Sequence, residues 1–176
     1  MAPSSTSSSR DAGLVVRRAT DADLPVLGRL GASLLREHYA FDPQRFMAPH
    51  GNPESGYAWF LGTQLKEDDV AVFVAERDGA VIGYVYAGLE PQSWKELRDV
   101  AGFIHDVVVL PEAQRHGVAS TLIDAACDWF RSIGAPRVVL WTAEKNERAQ
   151  RLFVRLGFRR TMIEMTRELG DRPQGD

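Results

Sequence analysis

The segment from Phe103 to Phe130 gives the strongest indication of a ligand-binding site in this sequence. It reads FIHDVVVLPEAQRHGVASTLIDAACDWF, a pattern typical of a buried strand, a short turn and an amphipathic helix. The small residues Gly117 and Ala119 stand where this helix begins. Because the first amides of a helix lack partners and carry about half a positive charge, the turn is predicted to hold an anion such as a pyrophosphate.

The motif around this turn indicates which kind of nucleotide-containing ligand the site would bind. Neither the GxGxxG fingerprint of dinucleotide binders nor the GxxxxGK[ST] pattern of P-loops occurs. The chain instead has a strand end followed by Q-x-x-G-x-A, within VVVLPEAQRHGVA at residues 107–119. This arrangement resembles the acetyl-coenzyme A signature of the Gcn5-related N-acetyltransferase (GNAT) superfamily.

A second motif supports the resemblance. Asn146 to Phe158 reads NERAQRLFVRLGF, similar to the later motif of that superfamily, in which an Asn starts a helix and a Gly-Phe pair ends it. Its apolar residues form one helical stripe, and Gly157 stands where a left-handed residue ends a helix. The two motifs occur in the expected order, and the resemblance extends from Val70 to Leu169.

The resemblance implies a single-domain acyl-CoA N-acyltransferase fold of the α/β (α+β) class. Such a fold has a mixed, mostly antiparallel sheet, a splayed central strand pair and helices on both faces. The residue patterns predict a first strand from Leu14, a hairpin at Asp78-Gly79, a buried strand at Val138–Trp141 and a final strand at Arg159–Arg167. Thr20 and Asp23 have the spacing of a helix capping box. We expect the N-acetyltransferase domain to span residues 13–169, between a disordered Ser-rich tail at 1–12 and a flexible tail at 170–176.

The resemblance further implies acetyl-CoA as cosubstrate, with its pyrophosphate on the turn and its pantetheine arm along unpaired main-chain groups of Val107 and Val109. The reaction would be acetyl transfer to a primary amine by direct attack, through a tetrahedral intermediate. The cofactor-binding residues implied are Val107, Val108, Val109, Gln114, Arg115, His116, Gly117, Val118, Ala119, Ser120, Asn146 and Phe153.

His105 is the candidate general base, because a protonated amine must lose a proton before it attacks and a histidine pKa near about 6.5 suits that task. The amide of Val107 or Val108 is the candidate donor to the oxyanion. Strict strand alternation predicts Asp106 on the face opposite His105, so the two are not paired as a dyad. Phe153 stands where the superfamily commonly has a Tyr that protonates the leaving thiolate, which leaves the general acid open.

The acceptor is not specified by the sequence. A polyamine, an aminoglycoside, an amino acid and a protein N-terminus or lysine all fit, since acidic and aromatic residues favour a cationic amine. Two other classes of function stay open, a weakly catalytic acyl-CoA-binding sensor and a protein-interaction module that shares the fold. The candidate acceptor-binding residues are Glu37, Tyr39, Asp42, Trp94 and Asp106.

Composition narrows the classes of partner. The chain has 176 residues, and its 21 basic and 24 acidic residues are interspersed, unlike the basic surface of a nucleic-acid binder. No apolar run approaches the roughly 20 residues that span a bilayer, and no signal peptide is recognisable. We therefore expect a soluble cytoplasmic protein, a monomer or homodimer, that binds no nucleic acid, membrane or metal. The single cysteine, Cys127, is expected to be a packed side chain.

Overall fold

The computed structural model of the protein describes residues 13–169, so the expectations for residues 1–12 and 170–176 lie outside it. Five strands form one sheet in the order β1-β2-β3-β4-β5. The first four strands pair antiparallel and β5 lies parallel to β4, which confirms the predicted mixed, mostly antiparallel sheet. The elements are β1 (Leu14–Arg18), α1 (Leu24–Phe41), α2 (Pro53–Gln64), β2 (Val70–Arg77), β3 (Ala80–Glu90), β4 (Ala101–Val109), α3 (Val118–Ser132), β5 (Val138–Leu140) and α4 (Glu147–Arg155).

Helices cover both faces of the sheet. On the α1/α2 face, Leu27, Leu30 and Leu61 are buried against strands β2, β3 and β4. On the α3 face, Leu122 and Phe130 are buried among residues of β2, β3 and β4. Burial of a leucine or phenylalanine side chain contributes about 1.5–3 kcal/mol, so these two clusters stabilise the sheet that carries the site. Within residues 13–169, no helix is both long enough and apolar enough to cross a bilayer.

Two local predictions are confirmed. Asp78 and Gly79 both have positive φ, 53° and 79°, as a tight hairpin turn between β2 and β3 requires. Asp23 accepts a hydrogen bond from the Thr20 amide at 2.8 Å, which forms the predicted capping box. The Arg17 guanidinium donates two further bonds to Asp23, at 2.8 and 2.9 Å, and lowers the pKa of this carboxyl to about 2.

The predicted alternation along β4 is wrong after Ile104. The register with β3 shifts there, so that Ile104 lies opposite Ala87 while Asp106 lies opposite Tyr86, and His105 is the extra residue of a β-bulge. A bulge inserts one residue and exchanges the faces of every side chain that follows it. Asp106 therefore lies on the α1/α2 face together with His105, and not in the α3 core.

The strand pair at the centre of the predicted site does separate. β5 pairs with β4 only from Gly102 to Ile104, whereas β4 continues to Val109. The main chain of β4 beyond Ile104 therefore has no strand beside it on the β5 side. β5 itself is half-buried along its length, less covered than the buried strand that its sequence predicts.

The predicted final strand at Arg159–Arg167 is wrong. Every residue from Arg159 to Leu169 is exposed, and none of them belongs to a strand. The side chains of this segment instead contact the helices and the loop after α1: Glu164 forms a two-point ion pair with Arg45, and Arg160 donates to Gln150 on α4.

Candidate active site

A cleft of about 1020 Å³ opens where β4 and β5 part. Its walls come from α1, β4, the end of β5, the turn before α3, and α4. Eleven residues with a predicted site role line it on β4, the turn and α3, and so do Glu37, Asn146 and Phe153. The eleven are His105, Asp106, Val107, Val108, Val109, Gln114, Arg115, Gly117, Val118, Ala119 and Ser120.

The turn before α3 presents a row of free amides. No amide from Arg115 to Ser120 donates a hydrogen bond to any group in the described part of the chain. Arg115 and Gly117 both have positive φ, 66° and 81°, and such alternating backbone conformations turn successive N–H groups toward one concavity. A Cβ added at Gly117 would meet nothing within 4 Å, so the space beside this residue is open.

Positive charge surrounds this concavity. Arg115 lies on the turn itself, and Arg148 and Arg155 reach the cleft from α4. The amides at the start of α3 add the partial positive charge of a helix N-terminus. The arrangement can hold an anion with more than one negative charge. The sequence motif identified the turn, but not the two arginines of α4.

Gln114 serves the protein's own structure as well as lining the cleft. Its amide nitrogen donates to the Val109 carbonyl at 2.9 Å, and its carbonyl oxygen accepts from Arg148. The side chain thus ties the end of β4 to α4. The Val109 carbonyl is therefore occupied, and the expectation that the main-chain groups of Val109 are unpaired is corrected for this oxygen.

His105 is held by contacts on three sides. Its ring stacks on Tyr86 at 4.6 Å and on Phe103 at 4.8 Å between centroids. Its Nε2 lies 3.2 Å from a carboxylate oxygen of Glu90, at the end of β3. Burial lowers the pKa of His105, although Glu90 acts in the opposite direction. The net lowering of its pKa favours the neutral imidazole.

Asp106 is a partly buried carboxylate that lines the cleft. The Tyr84 hydroxyl, itself fully buried, donates to it at 2.9 Å. Burial raises the pKa of Asp106 to about 6, despite the opposing effects of that hydrogen bond and of the His38 charge. His105 and Asp106 are thus neighbours on one face, but each has its own partner, Glu90 for one and Tyr84 for the other.

Tyr57 on α2 completes the wall beside Asp106, and sequence reasoning gave it no site role. Burial raises the pKa of Tyr57 above its usual range, and the Asp106 charge acts in the same direction. Its ring lies against α1 at Gly31, where an added Cβ would come within 2.0 Å of the ring. Two glycines of α1, Gly28 and Gly31, were the available signal, since they mark a helix surface on which a neighbour approaches closely.

The other predicted site residues have different positions. His116 is exposed beside the turn, with Nδ1 2.8 Å from the Gln114 carbonyl oxygen, and does not line the cleft. Trp94 is 82% exposed in the loop between β3 and β4, away from the cleft lining. Tyr39 and Asp42, at the end of α1, are also absent from that lining. The acidic or aromatic character of these residues was not enough to predict where they lie.

Two predicted residues of α4 have clear local roles. The Asn146 side chain accepts from the Ala149 amide at 3.1 Å and so caps the helix. Phe153 lines the cleft with its ring 5.9 Å from that of Phe158 and offers no hydroxyl there.

The sequence pattern of the Acetyltransferase (GNAT) family matches residues 33–158. The chain belongs to this family. The match includes the strand, turn and helix of the anion site and the whole of α4. The superfamily predicted from the two motifs is therefore confirmed.

Relatives in sequence carry acetyltransferase names. An uncharacterized N-acetyltransferase of Methanocaldococcus jannaschii is 32% identical over 100 residues, 57% of this chain and 44% of that protein. A mycothiol acetyltransferase of Thermomonospora curvata is 34% identical over 127 residues, 69% of this chain and 39% of that protein. This GNAT chain thus spans less than half the length of these two relatives. An uncharacterized N-acetyltransferase of Archaeoglobus fulgidus is 29% identical over 147 residues, 82% of this chain and 92% of that one.

Solved structures share the fold. An aminoglycoside N-acetyltransferase in complex with CoA superposes with a TM-score of 0.69 at 23% identity, covering 89% of this chain and 95% of that one. A GCN5-related N-acetyltransferase from Ralstonia eutropha gives a TM-score of 0.69 at 21% identity, covering 90% and 100%. The predicted acyl-CoA N-acyltransferase fold is confirmed by these likenesses.

Proposed function

We propose that residues 13–169 form an N-acetyltransferase domain that moves the acetyl group of acetyl-CoA to a primary amine by direct attack. The observation that carries the proposal is the row of free amides from Arg115 to Ser120, at the mouth of the gap between β4 and β5. Unpaired amides beside a charged cleft are costly unless an anion or water satisfies them. The family of the chain makes a coenzyme A pyrophosphate the anion that fits.

The residues of the cleft fit acetyl-CoA in two places. The turn amides, with Arg115, Arg148 and Arg155, would hold the diphosphate through charge-assisted hydrogen bonds. The β4 main chain beyond Ile104 would bond the amide groups of the pantetheine arm as an added strand does. Acetyl-CoA itself would supply the activated thioester.

His105 is the proposed general base. Glu90 accepts a hydrogen bond from Nε2–H, which leaves the lone pair on Nδ1, the nitrogen that can take a proton from the acceptor. Burial lowers the pKa of His105 and so favours the neutral imidazole, the form that accepts a proton. An amine of lysine type, with a pKa of about 10.4, needs such a base at neutral pH.

Asp106 is proposed to attract the acceptor as an ammonium ion. With a pKa of about 6 the carboxylate is ionised at neutral pH, and it lies in the cleft beside Tyr57. Glu37 also lines the cleft, but it is 3.7 Å from Arg148 and so part of its charge is already paired. Asp106 is therefore the stronger candidate for holding a cation next to His105.

The remaining chemical steps need few side chains. The amide of Val107 or Val108, on the unpaired part of β4, would donate to the oxygen that becomes negative during transfer. Phe153 cannot protonate the leaving group, but a thiol of pKa about 8.5 leaves as a thiolate without a dedicated acid. Because no side chain with a high pKa is needed as the acid, we expect the rate to be less sensitive to pH.

The first test is thiol release from acetyl-CoA with a panel of amines. Acceptor-dependent release supports the proposal, whereas release that no amine stimulates contradicts it. His105→Ala should lower kcat and remove the acid-side decline of the pH profile. His116→Ala is the matched control, because that histidine is exposed and lies outside the cleft. Equal effects of both substitutions would remove His105 from the mechanism.

The second test isolates the anion site. Gly117→Glu places a carboxylate before the free amides and should weaken acetyl-CoA binding by at least tenfold, about 1.4 kcal/mol. Gly117→Ala introduces the same backbone penalty at positive φ without the charge and serves as control. Calorimetric titration with CoA distinguishes them. Equal affinities of the two variants would show that the turn does not hold the diphosphate.

One observation favours a second function. Phe153 puts an aromatic ring without a hydroxyl in the cleft, at the position that the resemblance assigns to the general acid. An acyl-CoA-binding sensor would retain the anion site while losing chemistry. Such a protein would bind acetyl-CoA in calorimetry but release no thiol with any amine.

A further inference from the structure

Arg148, at the start of α4, connects the anion site to the α1 wall of the cleft. One end of its guanidinium, Nη1, donates to the side-chain oxygen of Gln114, the residue that precedes the row of free amides. The other end, Nη2, lies 3.7 Å from a carboxylate oxygen of Glu37 on α1. Both outer nitrogens of Arg148 therefore have a contact within the chain before any ligand binds.

The two contacts of Arg148 differ in strength. The contact with Gln114 is a hydrogen bond, whereas the 3.7 Å between Nη2 and Glu37 exceeds the roughly 3.2 Å upper limit of a normal N–H···O hydrogen bond. The side chains of Arg148 and Glu37 are also 55% and 45% exposed, so water screens their attraction. The contact with Glu37 is thus the one that a ligand can replace most easily.

Glu37 has no second cation to replace Arg148. Within residues 13–169 its carboxylate makes no other ion pair. Arg45, which also lines the cleft, is paired with Glu164. A Glu37 carboxylate that loses Arg148 is therefore left with an unpaired charge in the cleft.

This part of α1 lies near the proposed acceptor site. Burial raises the pKa of Asp106, and the charge of His38, the residue after Glu37, partly opposes that shift. A charge has such an effect only over a short distance, so this turn of α1 lies close to Asp106. Glu37 and Asp106 both line the cleft. A released Glu37 would add a second carboxylate on the acceptor side.

We propose that Glu37 and the coenzyme A diphosphate compete for Arg148, so that bound acetyl-CoA releases the Glu37 carboxylate to a cationic acceptor. This inference rests on the proposed function, because it takes the free amides as the diphosphate site. A diphosphate carries at least two negative charges and attracts a guanidinium more strongly than one exposed carboxylate does. Coupling between two ligands is reciprocal, so a bound cationic amine would also strengthen the binding of acetyl-CoA.

Calorimetric titration of the full-length protein with CoA tests the competition. Glu37→Gln should tighten CoA binding by about two- to fivefold, because Arg148 no longer has to leave a carboxylate. Glu147→Gln is the matched control, since it removes a carboxylate from the neighbouring position of α4, where Glu147 pairs with Arg151. In an Arg148→Gln background, Glu37→Gln should change the CoA affinity no more than Glu147→Gln does.

Three results would overturn the competition. The first is a Glu37→Gln variant that binds CoA no more tightly than the unaltered protein. The second is a gain in affinity that persists in the Arg148→Gln background. The third is an equal gain in Glu147→Gln, because net charge alone would then account for the change. An unaltered protein that does not bind CoA contradicts the proposed function, and this inference with it.

The release of Glu37 to the acceptor is tested with the amine that the thiol-release panel identifies. Glu37→Gln should raise KM for that amine at least about threefold and change kcat less than about twofold, because it removes an attraction and not a reacting group. Glu147→Gln should leave both constants unchanged. An unchanged KM in Glu37→Gln would overturn this half of the inference while leaving the proposed function intact.

Discussion

Replacing Asp106 with Asn should stabilise the folded protein at neutral pH. Burial raises the pKa of Asp106 from 3.8 to about 6, so the folded chain binds this proton more tightly than the unfolded chain does. Two pKa units correspond to about 3 kcal/mol, which is the free-energy cost of keeping the folded carboxylate ionised. Asn carries no charge, and its carbonyl oxygen can still accept the bond from the Tyr84 hydroxyl.

The direction of the pH dependence follows from the raised pKa. Below about pH 3.8 the carboxyl is protonated in both the folded and the unfolded chain, and its stabilising contribution is complete. That contribution is lost as the pH rises through about 6. The advantage of Asp106→Asn should therefore be absent near pH 4, grow between pH 4 and 6, and stay constant above that range.

Urea unfolding of both proteins at a series of pH values measures this difference, since the midpoint and slope give the free energy of unfolding. Asp99→Asn is the matched control, because that carboxylate is exposed in the loop before β4. A destabilised Asp106→Asn variant at neutral pH, or a difference that does not vary with pH, would refute the assignment of a desolvated charge to this site.

Three further substitutions test the framework around the site. Asp23→Asn should destabilise by about 2 kcal/mol at neutral pH, and because the folded pKa is about 2, urea unfolding should show the loss shrinking as pH falls from 4 toward 2. Gly31→Ala should lower the free energy of unfolding by about 1–3 kcal/mol, since its Cβ would lie 2.0 Å from the Tyr57 ring. Gly56→Ala should not lower it, because a Cβ at this position of α2 would meet nothing within 4 Å. Equal effects of the two substitutions would argue against the clash. Gly117→Ala should cost about 1–2 kcal/mol in thermal unfolding because its φ is 81°, and an unchanged Tm would contradict that.

Local signals explain what the sequence could predict. The Asp78-Gly79 turn and the Thr20 capping box depend on residues adjacent in the chain, and both form as expected. The turn at Gly117 is likewise defined by a small residue, a positive φ and a helix start within a few positions. Such features need no knowledge of which strands become neighbours.

The bulge at His105 could not be predicted in this way. Alternation along β4 is a property of one strand, whereas the bulge is a property of its register with β3. Only the paired strands show that Asp106 lies opposite Tyr86 and shares a face with His105. The prediction of separate faces failed for that reason, and with it the relative position of the two main candidate side chains.

The Gln114 side chain shows a different limit of prediction from the sequence. Its position in the motif indicated a cofactor contact, but its carboxamide spans from the Val109 carbonyl to Arg148. A glutamine can donate and accept at once, so it can join two elements that sequence alone does not bring together. The motif residue thus supports the shape of the turn, and the neighbouring amides are left free for the ligand.

The cost of Asp106 is itself an argument for function. A carboxylate that destabilises the fold by about 3 kcal/mol removes a large part of the stability of an ordinary domain, which is about 5–15 kcal/mol. Packing does not require the negative charge, because an uncharged residue of the same size could accept the hydrogen bond from the Tyr84 hydroxyl. The bulge that turns Asp106 out of the α3 core also brings it beside His105, and both line the cleft below the free amides. A structural role explains the hydroxyl contact but not the charge, whereas binding of a cationic amine requires the charge.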